Sequence, residues 1–431
     1  MAKRNRFLNT VDFLNTDEGR LTQYRHRKRR RLLFAFDDIE PQSKKMSEAH
    51  KDDFQRRIIQ ALDAQRRADF RGPLALNLQL STTKATAPQA HTIAKNLLDL
   101  LAARRPNVRA ARKQLLYKDD SQVHALTVSC THGKNQPRIS IGAKSLRAML
   151  SDLELAAEAL RSLDQNDSSR WYGGDRAQDE IRHFKQLVDR EALNRSRVGD
   201  QLYNAMIKFG RWQAQQALLK SGSITTAQLA WLFGLPNNEF MSPITDLWDE
   251  VIRDSPLRLQ IGELPTKVGQ SGAFINRVDT SINEFKKKWD WIINPLVVPV
   301  ALEVIVRPGP FTPKGVLHDL DNVVRDYLLP KIVPRFGTVT DYRWTIDFDE
   351  LRQRDRKLAD RWGPNPTPPK ATRSGVTRYE AWRLPPSKDK LPGFVSVAMV
   401  PDLGFSEDIF TQIDRQIAQW AESIESESSR W

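Results

Sequence analysis

His318-Asp319-Leu320-Asp321-Asn322 stands at the mouth of an apolar helical pattern that carries Arg325 one turn further on. Two carboxylates two positions apart in an extended segment project the same way. Paired hard oxygens suit Mg²⁺ or Mn²⁺, ions that keep several waters and can reach a phosphate oxygen. Asp and Asn are also favoured helix N-caps, so the local chemistry leaves capping open beside metal binding. One Asp suffices for a cap, and the second is surplus. Tyr117-Lys118-Asp119-Asp120-Ser121-Gln122 offers another acidic pair at the entrance of a strand. It could complete a metal cluster built elsewhere or simply form a turn. His91, beside Ala90 and Thr92, could be a ligand, a base or a packing residue.

Basic groups gather in three places. One is the run Arg25–Arg31, with Arg27, Lys28, Arg29 and Arg30. The second is a loop with Arg104, Arg105, Arg109, Arg112 and Lys113, and the third is Lys286–Lys288. Each could grip phosphate or be a solvated face. The eleven Trp residues could stack on splayed bases or fill a core. Lys plus Arg less Asp plus Glu is 67 − 53 = +14 over 431 residues. A chain this basic commonly meets a polyanion, nucleic acid first among them. A single cysteine, Cys130, excludes an internal disulfide framework and a multi-Cys zinc site. No apolar stretch approaches the roughly 18–20 residues that cross a bilayer. The N-terminus lacks the apolar core of a secretory signal. The expectation is a soluble, cytoplasmic protein with no membrane partner, although RHRKRRR (25–31) could imitate a nuclear signal.

The elements that must position these groups fall into four stretches. Residues 1–70 read as a basic leader containing a helix over Asp52–Phe70. Residues 71–143 hold the alternating strand LALNLQLS (74–81), a helix over 91–103, the basic loop and a strand over Gln122–Cys130. Residues 144–295 read as a helical middle that could dock protein partners. Within it, ITTAQLAWLFGLP (224–236) is similar to the opening of a helix-turn-helix, but an acidic segment with Pro243 follows where a basic recognition helix belongs. Residues 296–431 begin with a near-continuous apolar strand, LVVPVALEVIVRPG, covered on both faces. Next come a helix from Asp321 that Pro330 bends or ends, a strand over 340–348 and a charged, proline-rich loop over 352–375. Strands over 376–386 and 392–402 and a last helix with a polar tail complete the chain. The order strand–loop–helix–strand thus occurs twice. The fold class expected is α/β (α+β) with a helical insertion, the repeated order being either a duplication or a coincidence.

The segment D-L-D-N-x-x-R resembles the D-x-D-N-x-x-K signature of RusA-type Holliday junction resolvases. LYKDDSQVHALTV resembles the second signature of that family, in which an acidic pair precedes Ser or Ala, Gln and an apolar residue at a strand entrance. The resemblance covers about 60 residues of the first half and about 100 of the second. It implies Mg²⁺- or Mn²⁺-assisted phosphodiester hydrolysis on branched DNA. Asp319 and Asp321 match the first two catalytic aspartates, and Arg325 stands where the family has lysine. In the first half Lys95 matches that lysine, Asp119 or Asp120 matches the third aspartate, and Gln89 and His91 replace the first two. In the second half Glu380 is the only carboxylate near the position of the third acid, so the expected metal set there is Asp319, Asp321 and Glu380. The family acts as a homodimer, and a fused pair of diverged copies is its single-chain equivalent. One competent half implies nicking, or binding without cleavage.

Overall fold

The computed structural model describes residues 10–84, 89–163, 174–235, 252–253, 255, 257–266, 271–313, 318–336, 348–354, 356–362, 376, 378–402 and 408–428. Its centre is one eight-stranded mixed sheet. The strands are β1 (Leu32–Phe36), β2 (Leu74–Ser81), β3 (Val123–Thr131), β4 (Arg138–Ser145), β5 (Arg258–Gly262), β6 (Val300–Arg307), β7 (Arg378–Arg383) and β8 (Phe394–Pro401). Their spatial order is β1-β4-β2-β3-β7-β6-β8-β5. That order reads the same from either edge. β2 runs parallel to β3 and antiparallel to β4, and β6 runs parallel to β7 and antiparallel to β8. β1 and β5 close the two edges, each antiparallel to its neighbour. The halves meet where β3 pairs antiparallel with β7, from Ala125↔Trp382 to Ser129↔Arg378. The sheet therefore has a pseudo-two-fold axis at the β3/β7 seam.

The repeat is longer than the sequence suggested. Each half runs strand, helix, strand, helix, strand, strand, helix. In the first half the helices are Glu48–Ala64, Ala90–Ala102 and Leu146–Leu163. Their counterparts are Ser271–Ile293, the helix opening at Leu320, and Ile409–Ser428. Three strands were not expected: β1 in the supposed leader, β4 after the Gln122–Cys130 strand and β5 in the supposed helical middle. Between the halves lie helices Gly174–Asp189, Glu191–Val198, Asp200–Ser221 and Thr226–Leu232.

Alternation along the strands divides the core in two. Leu76, Leu126, Val304, Tyr379 and Ala381 pack on one face with Ile58, Ile93, Leu97, Phe274, Leu320 and Val323. Ala75, Ala125, Ile305 and Trp382 pack on the other with Leu21, Met149, Leu153, Leu229 and Ile413. Helices thus cover both faces, which gives an α/β fold of three layers. Every residue of β6 is buried, as its largely apolar run requires.

Two local expectations are corrected. The helix from Leu320 continues through Pro330: a widened π turn over Val323–Leu328 leads into Leu329–Phe336. That turn lies where the proline ring would otherwise press on the Asp326 carbonyl. Part of the supposed loop 352–375 is helical, in Phe348–Arg354 and Arg356–Trp362, because Leu351 and Ala359 are buried against Val198, Leu202 and Phe209. The strand expected over 340–348 lies outside the described residues up to 347, and Phe348 opens a helix. Thr226–Leu232 is a short helix, and 236–251, where a recognition helix would follow, lies outside the described residues.

Candidate metal centre

β6 ends at Arg307, and His318 and Asp319 lead into the helix that opens at Leu320. Asp319 occupies its N-cap, with φ −62° and ψ 138°, yet its side chain caps no backbone amide. One of its oxygens instead accepts a hydrogen bond from Asn322 Nδ2 at 2.9 Å. Asp321 is 3% exposed. Capping therefore explains neither carboxylate of the D-L-D pair.

Capping does explain one member of the first-half pair. Asp119 Oδ1 accepts from the Ser121 amide at 2.9 Å, and Gln122 Oε1 accepts from the amides of Lys118 and Asp119. This capping box opens a single 3₁₀ turn over Asp120–Gln122 just before β3. The hydrogen bonds from Ser121 hold the Asp119 carboxyl below its ordinary range. Asp119, expected as a possible catalytic acid, is thus a structural cap. Asp120 is left to project toward the other half.

Asp120, Asp319 and Asp321 converge, each offering an oxygen within 4.8 Å of the others. Oxygens on opposite sides of a bound cation lie about 4.2 Å apart for Mg²⁺ and about 4.8 Å for Ca²⁺. Small side-chain adjustments would be needed to bring this set onto one hard ion. Asp120 Oδ1 is buried with no hydrogen-bond partner in the structure, and the buried Asp321 Oδ2 meets only the Lys95 ammonium, at 3.3 Å. Orphaned buried carboxylate oxygens are costly unless a cation meets them. The donor set, all oxygen and all anionic, fits Mg²⁺ or Mn²⁺.

Among the described residues, the ammonium paired with the cluster comes from the opposite half. Lys95, on the Ala90–Ala102 helix, lies 3.0 Å from Asp120, 3.0 Å from Asp99 and 3.3 Å from Asp321. Burial works to depress the Lys95 pKa, but Asp321 and Asp120 outweigh it and push it up, so Lys95 stays charged. Shared three ways, it does not neutralise the group. Burial, then Asp120 and Asp321, raise the Asp319 carboxyl to about 6. Burial also raises Asp321, with Lys95 opposing.

The centre is therefore composite, with Asp319 and Asp321 from one half and Asp120 and Lys95 from the other. Two sequence expectations change accordingly. Arg325 turns along its own helix to Asp326, at 2.6 and 2.7 Å, and Lys95 supplies the cation at the acids. Glu380, expected as the third metal ligand, faces the wrong way. Strand alternation puts Tyr379 and Ala381 toward the Leu320 helix, whereas Glu380 points with Trp382 to the opposite face of the sheet. There it pairs with Arg378 at 2.6 Å, and burial raises its carboxyl to about 8.

The other end of the pseudo-two-fold has different chemistry. Ala90 and Leu320 open equivalent helices, and 320 − 90 = 230 carries Gln89 onto Asp319, His91 onto Asp321 and Lys95 onto Arg325. His91 is pushed down to about 4, by burial first and by Arg325 second, so it is neutral at pH 7. The five residues from Ala371 to Gly375 contain no carboxylate and lie outside the described residues.

Most of the expected phosphate-gripping residues have protein partners. Arg104 holds the carbonyls of Arg112 and Val108. Arg105 pairs with Asp52 and Glu48, and Arg112 with Asp63. Arg27 meets the buried Asp152 at 2.7 Å, and Lys28 lies 3.6 Å from Asp414. Arg29, Arg30, Arg109 and Lys113 are exposed.

The sequence reading missed Arg383, at the end of β7, which is buried and donates to the carbonyls of Ser121 and His318. Only the alternation from Tyr379 could have placed it on the acid-bearing face. No family model, no curated protein and no solved structure matches the chain. Among the described residues, no helix is long and apolar enough to cross a membrane.

Proposed function

We propose that this protein is a metal-dependent, structure-specific DNA endonuclease that nicks branched DNA from a single centre, in the manner of a fused and diverged RusA-type resolvase. The reading is carried by one observation: carboxylates from both halves, Asp120, Asp319 and Asp321, converge beside the seam, and Asp120 Oδ1 is buried there without a partner. Asp120, Asp319 and Asp321 would hold Mg²⁺ or Mn²⁺. When bound, such an ion polarises a scissile phosphate and makes a nucleophile of water at neutral pH. Lys95, held protonated, is suited to stabilise negative charge on the phosphate rather than to deliver a proton. Asp319, raised to about 6, is the acid of the set whose proton is released as pH approaches neutrality. The +14 net charge and the exposed Arg29, Arg30, Arg109 and Lys113 favour a polyanionic substrate.

The full-length chain with a four-way DNA junction and Mg²⁺ or Mn²⁺ tests this. Nicking is expected, with a loss of at least about 100-fold in Asp120→Asn and Asp321→Asn while salt-sensitive junction binding persists. Cutting indifferent to both substitutions, or junction binding with no cutting in either metal, overturns it. One observation favours a second reading, a binding module without catalysis. Lys95 already bridges Asp120 and Asp321. On that reading the ammonium stands permanently where the metal would be, and binding needs no divalent ion.

A further inference from the structure

We propose that Arg383 is the latch that holds the two acid-bearing segments together, a positioning residue that builds one centre out of two halves. The inference rests on the metal-centre reading above and assigns the residue that makes the centre possible. Arg383 ends β7, next to the seam, and is 3% exposed. Its Nη1 donates to the Ser121 carbonyl at 2.6 Å, one residue beyond Asp120. Its Nη2 donates to the His318 carbonyl, one residue before Asp319. A single planar guanidinium therefore spans a first-half loop and a second-half loop at a fixed separation. His318 is tied in turn, its Nε2 donating to the Pro265 carbonyl at 2.7 Å.

Two features set this arrangement apart from ordinary packing. Among the described residues, both hydrogen bonds of Arg383 go to carbonyls and neither to a carboxylate. A buried cation so held is expensive, and burial lowers Arg383 to about 10, with Asp319 and Asp119 opposing. It is still charged at neutral pH. The pseudo-symmetry supplies the second feature. Leu76 pairs with Leu126, and its counterpart Leu302 pairs with Tyr379, so 379 − 126 = 253 carries Cys130 onto Arg383. The guanidinium is present at the end of the seam that has the acids, and a small buried thiol occupies the equivalent place at the end that lacks the acid pair.

The test compares full-length wild type with Arg383→Met and Arg383→Lys, with Mn²⁺ as the probe. In Arg383→Met, amide exchange over 118–123 and over 318–322 is expected to rise at least about tenfold together, and Mn²⁺ to bind about tenfold more weakly. Raising the Mg²⁺ concentration about tenfold should restore nicking, with KM for the junction unchanged. Arg383→Lys should recover at most one of the two segments, since an ammonium cannot fork. It also serves if the Met variant fails to fold. Wild-type protection of both segments in either folded variant, or unaltered Mn²⁺ affinity, overturns the latch. If exchange rises but the wild-type protein shows no saturable Mn²⁺ binding, the latch stands and the metal-centre reading fails.

Discussion

Burial and the neighbouring Asp120 and Asp321 carboxylates hold Asp319 back from ionising, and the consequence is testable there. Its folded-state pKa, about 6, lies above the ordinary 3.8. The folded protein therefore binds more protons than the unfolded chain between about pH 4 and pH 6. Stability of the metal-free protein falls as pH rises through that window and stays lower above it. A bound cation reverses the penalty, because it requires the ionised form. Asp319→Asn removes one of the three charges. At pH 7.5 it should stabilise the metal-free fold by on the order of 1 kcal/mol, after discounting for partial exposure. It should also abolish the rise in Tm that Mn²⁺ gives the wild type. Thermal melts with and without Mn²⁺ check both. A Tm that falls in the metal-free variant would mean that the Asn322 contact outweighs the repulsion.

At the scale of elements, the sheet is joined across its middle by five residue pairs between β3 and β7. Thr127 lies at the centre of that seam, opposite Glu380, and its hydroxyl is buried without a partner in the structure. Thr127→Val keeps the branched shape and deletes the unsatisfied group. It should stabilise the fold by about 1 kcal/mol in urea unfolding. A loss of stability instead would show that the hydroxyl is engaged. The elements beside the seam were the legible ones. LALNLQLS alternates, and VALEVIVR is apolar but for Glu303 and Arg307 because helices cover both faces. β1 and β5, five residues each, were too short to rise above their charged surroundings. The D-L-D pair was visible as chemistry because its spacing is local. Its partners were not. Lys95 is 226 residues from Asp321, and no periodicity reports which half a side chain enters. Glu380 was misassigned for a related reason: β7 is buried on both faces, so composition does not say which residues face the Leu320 helix.

For the whole molecule, fusion of two halves frees them to diverge. A homodimer must carry the same residues at both ends of its seam, whereas one chain can keep Asp319, Asp321, Asp120 and Lys95 at one end and Gln89, His91 and Arg325 at the other. That asymmetry bears on product if the proposed activity holds. A four-way junction is resolved by two symmetrical cuts, and a protein with one acid-bearing end makes one per docking event. The second cut then requires release and rebinding in the opposite orientation. On a supercoiled plasmid that extrudes a cruciform, a nick relaxes the circle and the cruciform is reabsorbed before rebinding. The expected product with Mg²⁺ is therefore open circle, with linear DNA below about one tenth of the total at every time point. Gel separation of the three forms reads this directly. Linear DNA appearing together with open circle from the first time points would mean that two centres act within one complex. Among the described residues one end of the seam carries the acid cluster, so that second centre would have to come from another copy, and sedimentation of the protein on the junction at rising protein concentration would then show two chains bound rather than one.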